Sequence, residues 1–317
     1  MVCGCAFNVG LVNCVTIMSH SIESLRRHEI SGRVAIVAGN GGLPKLVVTA
    51  KSSTAEIYLH GAHVTHFQKK SEPPLIFVSA KSFFAPGKAI RGGIPICYPW
   101  FGNRDGGPSH GFARITEWEL VQTSATPEGA VKIHLALPKI SGSSEWNNLR
   151  TEFTVTIADT LTMELETTNE SCDSAVEFEE CLHTYLHVGS IGMVSITGLE
   201  KAPFDDFALG ANGARRDAEN SILRISQETN RVYFDSTQTV EVRDERLKRV
   251  IRVEKFNSKS TVVWNPWTTQ KMPEDWAVND CADMVCVESA NVKQNKISLP
   301  AGKATALKVV LTSSPLK

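Results

Sequence analysis

The chain has 317 residues, 42% hydrophobic and 21% charged, enough apolar material for a substantial core and incompatible with a disordered or collagen-like chain. Lys plus Arg number 33 against 34 for Asp plus Glu, a formal charge of -1, so no global electrostatic term draws the chain to nucleic acid or anionic lipid. The first stretch, Met1 to Ile22, carries Asn8, Asn13, Ser19, His20 and Ser21 and lacks the ~20 predominantly apolar residues of a membrane span. No membrane partner is therefore expected. Apart from His20 the first basic residue is Arg26, so the charged start of a secretory signal is missing and a cytoplasmic location is expected. No acid precedes Glu23, which keeps a plastid or other organelle as the alternative, with the N-terminus as a transit peptide.

Taken in chain order, residues 22–28 read as a short helix. From about residue 33 the pattern changes to short apolar or alternating segments punctuated by Gly, Pro, Asn and Asp. Strands are predicted at 34–37, 45–50, 55–59, 131–137, 153–158 and 161–167, then at 184–188, 193–199, 231–234, 239–243, 260–264, 283–289 and 305–313, many rich in β-branched residues. Asp217–Ser221 is the only other helical candidate. So many strands without interleaved amphipathic helices argue for packed antiparallel sheets, an all-β sandwich, and against a parallel α/β sheet. No fixed-period repeat or polar linker divides the chain, so residues 1–30 read as an extension and 31–317 as a single domain. GNGG at 39–42 fits no phosphate-loop pattern and reads as a turn. The charge-rich RDERLKRVIR at 243–252 has its acids interleaved with its bases and reads as a solvated hairpin. Eight cysteines, at 3, 5, 14, 97, 172, 181, 281 and 286, include no C-x-x-C pair, so buried free thiols are expected among the later ones.

Three segments carry residue types suited to chemistry. Residues 88–120 pack Gly, Pro, aromatics, Arg and His into a stretch too irregular for one strand, the composition of a binding loop on a rigid scaffold. There Trp100, Phe101 and Phe112 offer faces for a sugar ring, and Arg91, Arg104 and Arg114 offer charge-assisted hydrogen bonds to a carboxylate or phosphate. The competing reading puts those aromatics in the core and the arginines in solvent. In ECLHTYLHV, 180–188, strand alternation points Cys181, His183, Tyr185 and His187 to one side. His183 and His187 would stand ~13 Å apart along a strand, too far to share a zinc ion, so no metal is expected there. In ADMVCVES, 282–289, Glu288 shares a face with Met284 and Cys286. It is either a solvated strand end or a carboxylate in a partly desolvated cleft, where burial would make it a better base. A histidine, a glutamate and an arginine–aromatic loop together make one coherent carbohydrate site.

At RGGIPICYPWFG (91–102), HGFAR (110–114) with TEWEL (116–120), LHTYLHV (182–188), VVWNPW (262–267) and DMVCVE (283–288) the chain resembles the glucose-6-phosphate 1-epimerases, or hexose-6-phosphate mutarotases, of the aldose 1-epimerase superfamily. The resemblance covers about residues 33 to 313. It implies a galactose-mutarotase-like β-supersandwich of large antiparallel sheets, no metal or organic cofactor, and a hexose 6-phosphate as substrate of a chain expected to be monomeric. Position by position, it implies His183 as general acid and Glu288 as general base, Arg91 and Arg114 as phosphate ligands, and His110 as a substrate contact. Trp100, Phe112 and Trp267 complete the expected binding set. Many relatives carry Asp where this chain has Asn230, which keeps an oxygen acceptor without the charge. The implied activity is interconversion of α and β anomers by acid–base ring opening and closure. The alternatives are an aldose 1-epimerase for neutral hexoses and a non-catalytic carbohydrate-binding sandwich. A glycoside hydrolase would need a second carboxylate, Asp280 or Asp283, beside Glu288.

Overall fold

Period-two alternation puts every apolar side chain of a segment on one face of the pleat, so such segments become strands that cover a core with one side. The computed structural model describes residues 21–139, 144–208, 210–268 and 272–316. The first 20 residues of the expected extension, with Cys3, Cys5 and Cys14, lie outside them. Leu149–Ile157 and Leu161–Asn169 bury every second residue along their full length and pair antiparallel with Phe153 opposite Leu165. They lie in a nine-stranded sheet with the order Leu223–Arg224, Val194–Thr197, Val240–Asp244, Arg249–Phe256, Ala304–Pro315, Leu161–Asn169, Leu149–Ile157, Val131–Ala136, Glu119–Ala125.

A second large sheet has the order Ala214–Arg216, Phe204–Asp206, Thr229–Phe234, Ser260–Asn265, Met284–Asn291, Glu180–Leu182, Ile96–Cys97, with Tyr185–His187 also paired to Met284–Asn291. Val34–Ala38, Pro44–Thr49, Ser53–Tyr58 and His63–Lys69 form a four-stranded antiparallel sheet. The all-β expectation holds, and the large sheets pack as a sandwich.

The strand Met284–Asn291 is buried at every position, on both faces. Val285 and Val287 join the main core, whereas Met284, Cys286 and Ala290 belong to small clusters on the opposite face. Neighbouring strands divide the same way. Leu182, Leu186, Tyr233 and Val263 face the core, and Cys181, Tyr185, Val232 and Val262 face outward. This second, enclosed face of the sheet is where the functional side chains collect.

Ile22–Leu25 is a helix capped by the Ser21 side chain, continued as a 3-10 turn over Arg26–His28, as the sequence predicts. Leu25 is buried in the main core and the Glu29 carboxylate accepts from Ile36 N at 2.8 Å, so residues 21–30 are attached to the body of the protein. Asp217–Ser221 is not helical. Five residues without an apolar stripe cannot offset the cost of helix nucleation. Val240–Asp244 and Arg249–Phe256 do form a hairpin, with Arg243 and Arg252 paired to Glu245 and Glu241 on its exposed side. The hairpin is not solvated throughout, because Asp244 and Arg249 are buried. Asp244 accepts from the backbone of Gly189, Arg246 and Leu247, and Arg249 donates to the carbonyls of Pro73, Pro74 and His187. Among the described residues, no helix is long and apolar enough to cross a membrane.

Candidate active site

The strand bearing His183 is interrupted. Glu180–Leu182 and Tyr185–His187 both pair with Met284–Asn291, Cys181 opposite Ala290 and Tyr185 opposite Cys286. The two short ladders share one register, which puts His183 directly opposite Glu288. Across the break both registers continue, with His183 N donating to Pro95 O and Val287 N to Thr184 O, while Thr184 N bonds back to Leu182 O. The two side chains meet, with Nε2 of His183 3.3 Å from Oε1 of Glu288. The His183 ring stacks on Tyr185 at 4.8 Å between centroids, and the Cys181 thiol donates to Oε2 of Glu288 at 3.2 Å.

Burial governs the electrostatics of this pair. Removal from water pushes the Glu288 carboxyl well above the usual carboxylate range. The same desolvation, reinforced by repulsion from His110, Arg114 and Arg91, holds His183 well below the ordinary imidazole value. Both shifts favour the uncharged form of the group, and two ionisable side chains in contact titrate as a pair.

The pair forms the floor of a cavity of about 560 Å³. Its walls include Arg91, Arg114, His110, Phe101, Tyr185, Asn230, Trp264 and Lys293. Arg91 is aimed by the two glycines that follow it, at φ 101° and 69°. A Cβ on Gly92 would sit 2.5 Å from the Phe77 carbonyl oxygen, and one on Gly93 2.2 Å from His63 Nε2, so only glycine lets this loop press against the sheet. The Arg91 guanidinium bonds Asp275 at 3.0 Å and lies over the Trp276 ring. Arg114 donates through Nη2 to Ser109 O, while its buried Nε has no hydrogen-bond partner among the described residues. His110 adopts φ 62°, accepts from Gly102 N through Nδ1, and places its ring 5.7 Å from that of His183.

Of the residues expected from sequence, the fold brings His183, Glu288, Arg91, His110 and Arg114 to one cavity, together with Phe101. Trp100, Phe112 and Trp267, expected to bind substrate, are not among its lining residues. Trp100 and Phe112 pack edge to face with each other and both contact Trp146, on the other side of their loop, with Trp100 Nε1 bonded to Pro108 O. Trp267 packs against the main core from the turn after Ser260–Asn265. Arg104 lies over Trp100 and Trp146 and pairs with Glu145. The aromatic faces of the cavity come instead from Phe101, Tyr185, Phe207 and Trp264. Trp264 lay within the VVWNPW segment, but its direction could not be read from an unbroken β-branched run; Asp275 and Lys293 had no local signal.

Glu288 is the single carboxylate among the lining residues described, and Asp280 and Asp283 are not among them, so the two-carboxylate arrangement of a glycosidase is not assembled. Another groove of about 580 Å³, beside Asn291, Asn295 and Thr305, has no histidine, cysteine or arginine in its lining.

Comparison with known proteins gives the same family. The family model described as aldose 1-epimerase matches residues 44–312. A protein of Cenchrus ciliaris provisionally named glucose-6-phosphate 1-epimerase is 30% identical over 294 residues, 88% of either chain. One of the same name from Escherichia coli K12 is 30% identical over 266 residues, 80% of this chain and 85% of that one. The crystal structure of a Salmonella typhimurium protein provisionally named a mutarotase superposes with a TM-score of 0.80 at 24% identity, covering 93% of this chain and all of the other. With the fold, the matched span and these relatives in agreement, the chain belongs to the aldose 1-epimerase family of isomerases.

Proposed function

We propose that this chain interconverts the α and β anomers of hexose 6-phosphates, with His183 and Glu288 moving the protons and Arg91 and Arg114 receiving the phosphate. The observation that carries the reading is the 3.3 Å contact between two buried, oppositely shifted groups lining a cavity walled by guanidinium groups. Anomerisation opens the pyranose, rotates the aldehyde about C1–C2 and recloses the ring on the other face. Opening takes a proton from the C1 hydroxyl and gives one to the ring oxygen, so the enzyme's own proton count is unchanged. A base beside an acid meets that requirement. In the ion-pair form of the dyad, with the sugar between them, Glu288 as carboxylate takes the hydroxyl proton and His183 as imidazolium protonates the ring oxygen, which leaves both groups neutral; closure reverses the roles.

Cys181 holds Oε2 of Glu288 and leaves Oε1 for the reaction. Tyr185, stacked on the imidazole, fixes the plane in which Nε2 presents its proton. Phe101 and Trp264 offer apolar faces to the C–H side of the ring. A phosphate held by the arginines anchors the far end of the substrate and places C1 over the dyad, so that remote binding energy contributes to orientation. A purely carbohydrate-binding sandwich has no use for two ionisable groups buried in contact, which cost desolvation energy. Against the neutral-hexose alternative, two guanidinium groups in the cavity wall favour an anionic substrate.

Magnetisation-exchange NMR on α- and β-glucose 6-phosphate, with free glucose in parallel and heat-treated protein as blank, tests the proposal. Acceleration for the phosphosugar alone is the expected result. Acceleration for glucose alone reassigns the substrate class, and acceleration of neither overturns the catalytic reading.

A further inference from the structure

Strand parity brings a third donor to the acid–base pair. Cys286 lies two residues before Glu288 on the same face of Met284–Asn291, opposite Tyr185. The ligand-capable atoms of His183, Cys286 and Glu288 all lie within 4.8 Å of one another, and all three residues are buried. In a tetrahedral zinc site with arms of about 2.0–2.1 Å to nitrogen and oxygen, neighbouring donors stand about 3.3 Å apart. The His183–Glu288 separation is already 3.3 Å, so only the sulfur has to close in. Oε2 of Glu288 is held from behind by the Cys181 thiol, which leaves Oε1 as the free ligand atom. Two of the three, His183 and Glu288, line the cavity.

We infer that His183, Cys286 and Glu288 form a capture site for a borderline-soft divalent cation, Zn²⁺ foremost, which inhibits the enzyme by occupying the two groups that transfer protons. One nitrogen, one thiolate and one carboxylate select zinc over magnesium or calcium, which prefer all-oxygen sets. Arg91 and Arg114 oppose a cation in the same cavity, but the charge of Arg91 is matched by Asp275 at 3.0 Å. The result is a reversible competitor of the sugar. The inhibitory half of the inference rests on the acid–base reading above, and the binding half stands on geometry alone.

Cobalt(II) is the probe, titrated without oxygen into the full-length chain with Cys3, Cys5, Cys14, Cys172 and Cys281 replaced by serine. One equivalent should bind with intense visible bands of low-symmetry cobalt and a near-ultraviolet thiolate-to-cobalt charge-transfer band, both displaced by Zn²⁺. Cys286→Ser should abolish the charge-transfer band and weaken binding by about tenfold or more. His183→Asn should weaken it comparably, which keeps the test open if the cysteine variant folds poorly. In the anomer-exchange assay Zn²⁺ should slow the wild type, a chelator should restore it, and Cys286→Ser should need about ten times more Zn²⁺ for half-inhibition. Absence of the chromophore, or a charge-transfer band that survives Cys286→Ser, overturns the inference. Cobalt binding as described in a protein that exchanges no sugar leaves the metal site standing and removes the acid–base reading instead.

Discussion

Glu288 and His183 occupy positions directly opposed across one ladder, so their roles separate cleanly by substitution. Glu288→Gln preserves shape and removes the base; kcat for anomer exchange should fall by about 10²- to 10⁴-fold with KM little changed. Exchange at the wild-type rate, after subtraction of the spontaneous reaction, would eliminate the assignment. In the wild type, burial moves the first proton loss of the pair below the ordinary histidine value of 6.5 and the second above the ordinary carboxylate value of 4.5. The pH profile of kcat/KM should therefore be a bell whose limbs belong to the pair and not to either residue. Arg91→Ala removes a charged hydrogen-bond donor from the wall, and its KM for the phosphosugar should rise about tenfold to a hundredfold. Free glucose should be nearly unaffected; an equal rise for both sugars would show that Arg91 serves only to neutralise Asp275.

At the scale of one strand, Glu180–Leu182 carries the approach to His183 and begins with a fully buried acid. Glu180 accepts from Asn291 Nδ2 at 2.8 Å through Oε1, while Oε2 has no partner among the described residues. Burial pushes its carboxyl up to about 8 from an ordinary 4.5. Between those values the folded chain retains a proton that the unfolded chain has released, so this group's contribution is complete below the unfolded value and is lost as pH rises toward 8. Glu180→Gln keeps the acceptor for Asn291 and cannot ionise. Its stability relative to wild type, from denaturant midpoints at pH 5, 6.5 and 8, should increase with pH by up to about 1.4 kcal/mol per unit. A constant difference across that range would mean that Glu180 is ionised in the folded protein. Lys255, buried on the facing sheet and held down to about 7 from 10.5, has the opposite sign: its contribution grows as pH rises from 7.

Across the whole molecule the two large sheets are joined by more than apolar contact. Arg249, on the nine-stranded sheet, spends its guanidinium on Pro73 and Pro74 of a connecting loop and on His187, beside the site in the eight-stranded sheet. Three carbonyl groups depend on one cation. Arg249→Ala should destabilise the fold by about 3 kcal/mol or more, read as a lower denaturant midpoint at unchanged slope. Arg249→Lys should recover only part, since one ammonium lacks the planar fork that reaches several acceptors. A shift of only a few tenths of a kcal/mol for the alanine variant would show that the sheets are held by the apolar core alone.

The strands themselves were written locally. Alternation at 153–158 and 161–167 and β-branched runs at 260–264 and 305–313 specify a two-sided sheet whatever lies on the other side. His63–Lys69 and Glu119–Ala125 escaped that reading because two histidines in one and Glu119, Gln122 and Ser124 in the other interrupt the apolar period, and their partners supply the pairing instead. The same local signal gave Glu288 its face and separated His183 from Leu182. What lay beyond it was anything set by register between distant segments: that residue 183 falls opposite residue 288, that Asp275 meets Arg91, that Cys286 stands beside both proton carriers. For the aromatic loop, composition could name Trp100, Phe101 and Phe112 together but could not tell which side of an irregular chain faces the cavity. Periodicity fixes side-chain direction only where the backbone is regular, and at residues 98–114 closure against the sheet makes that choice.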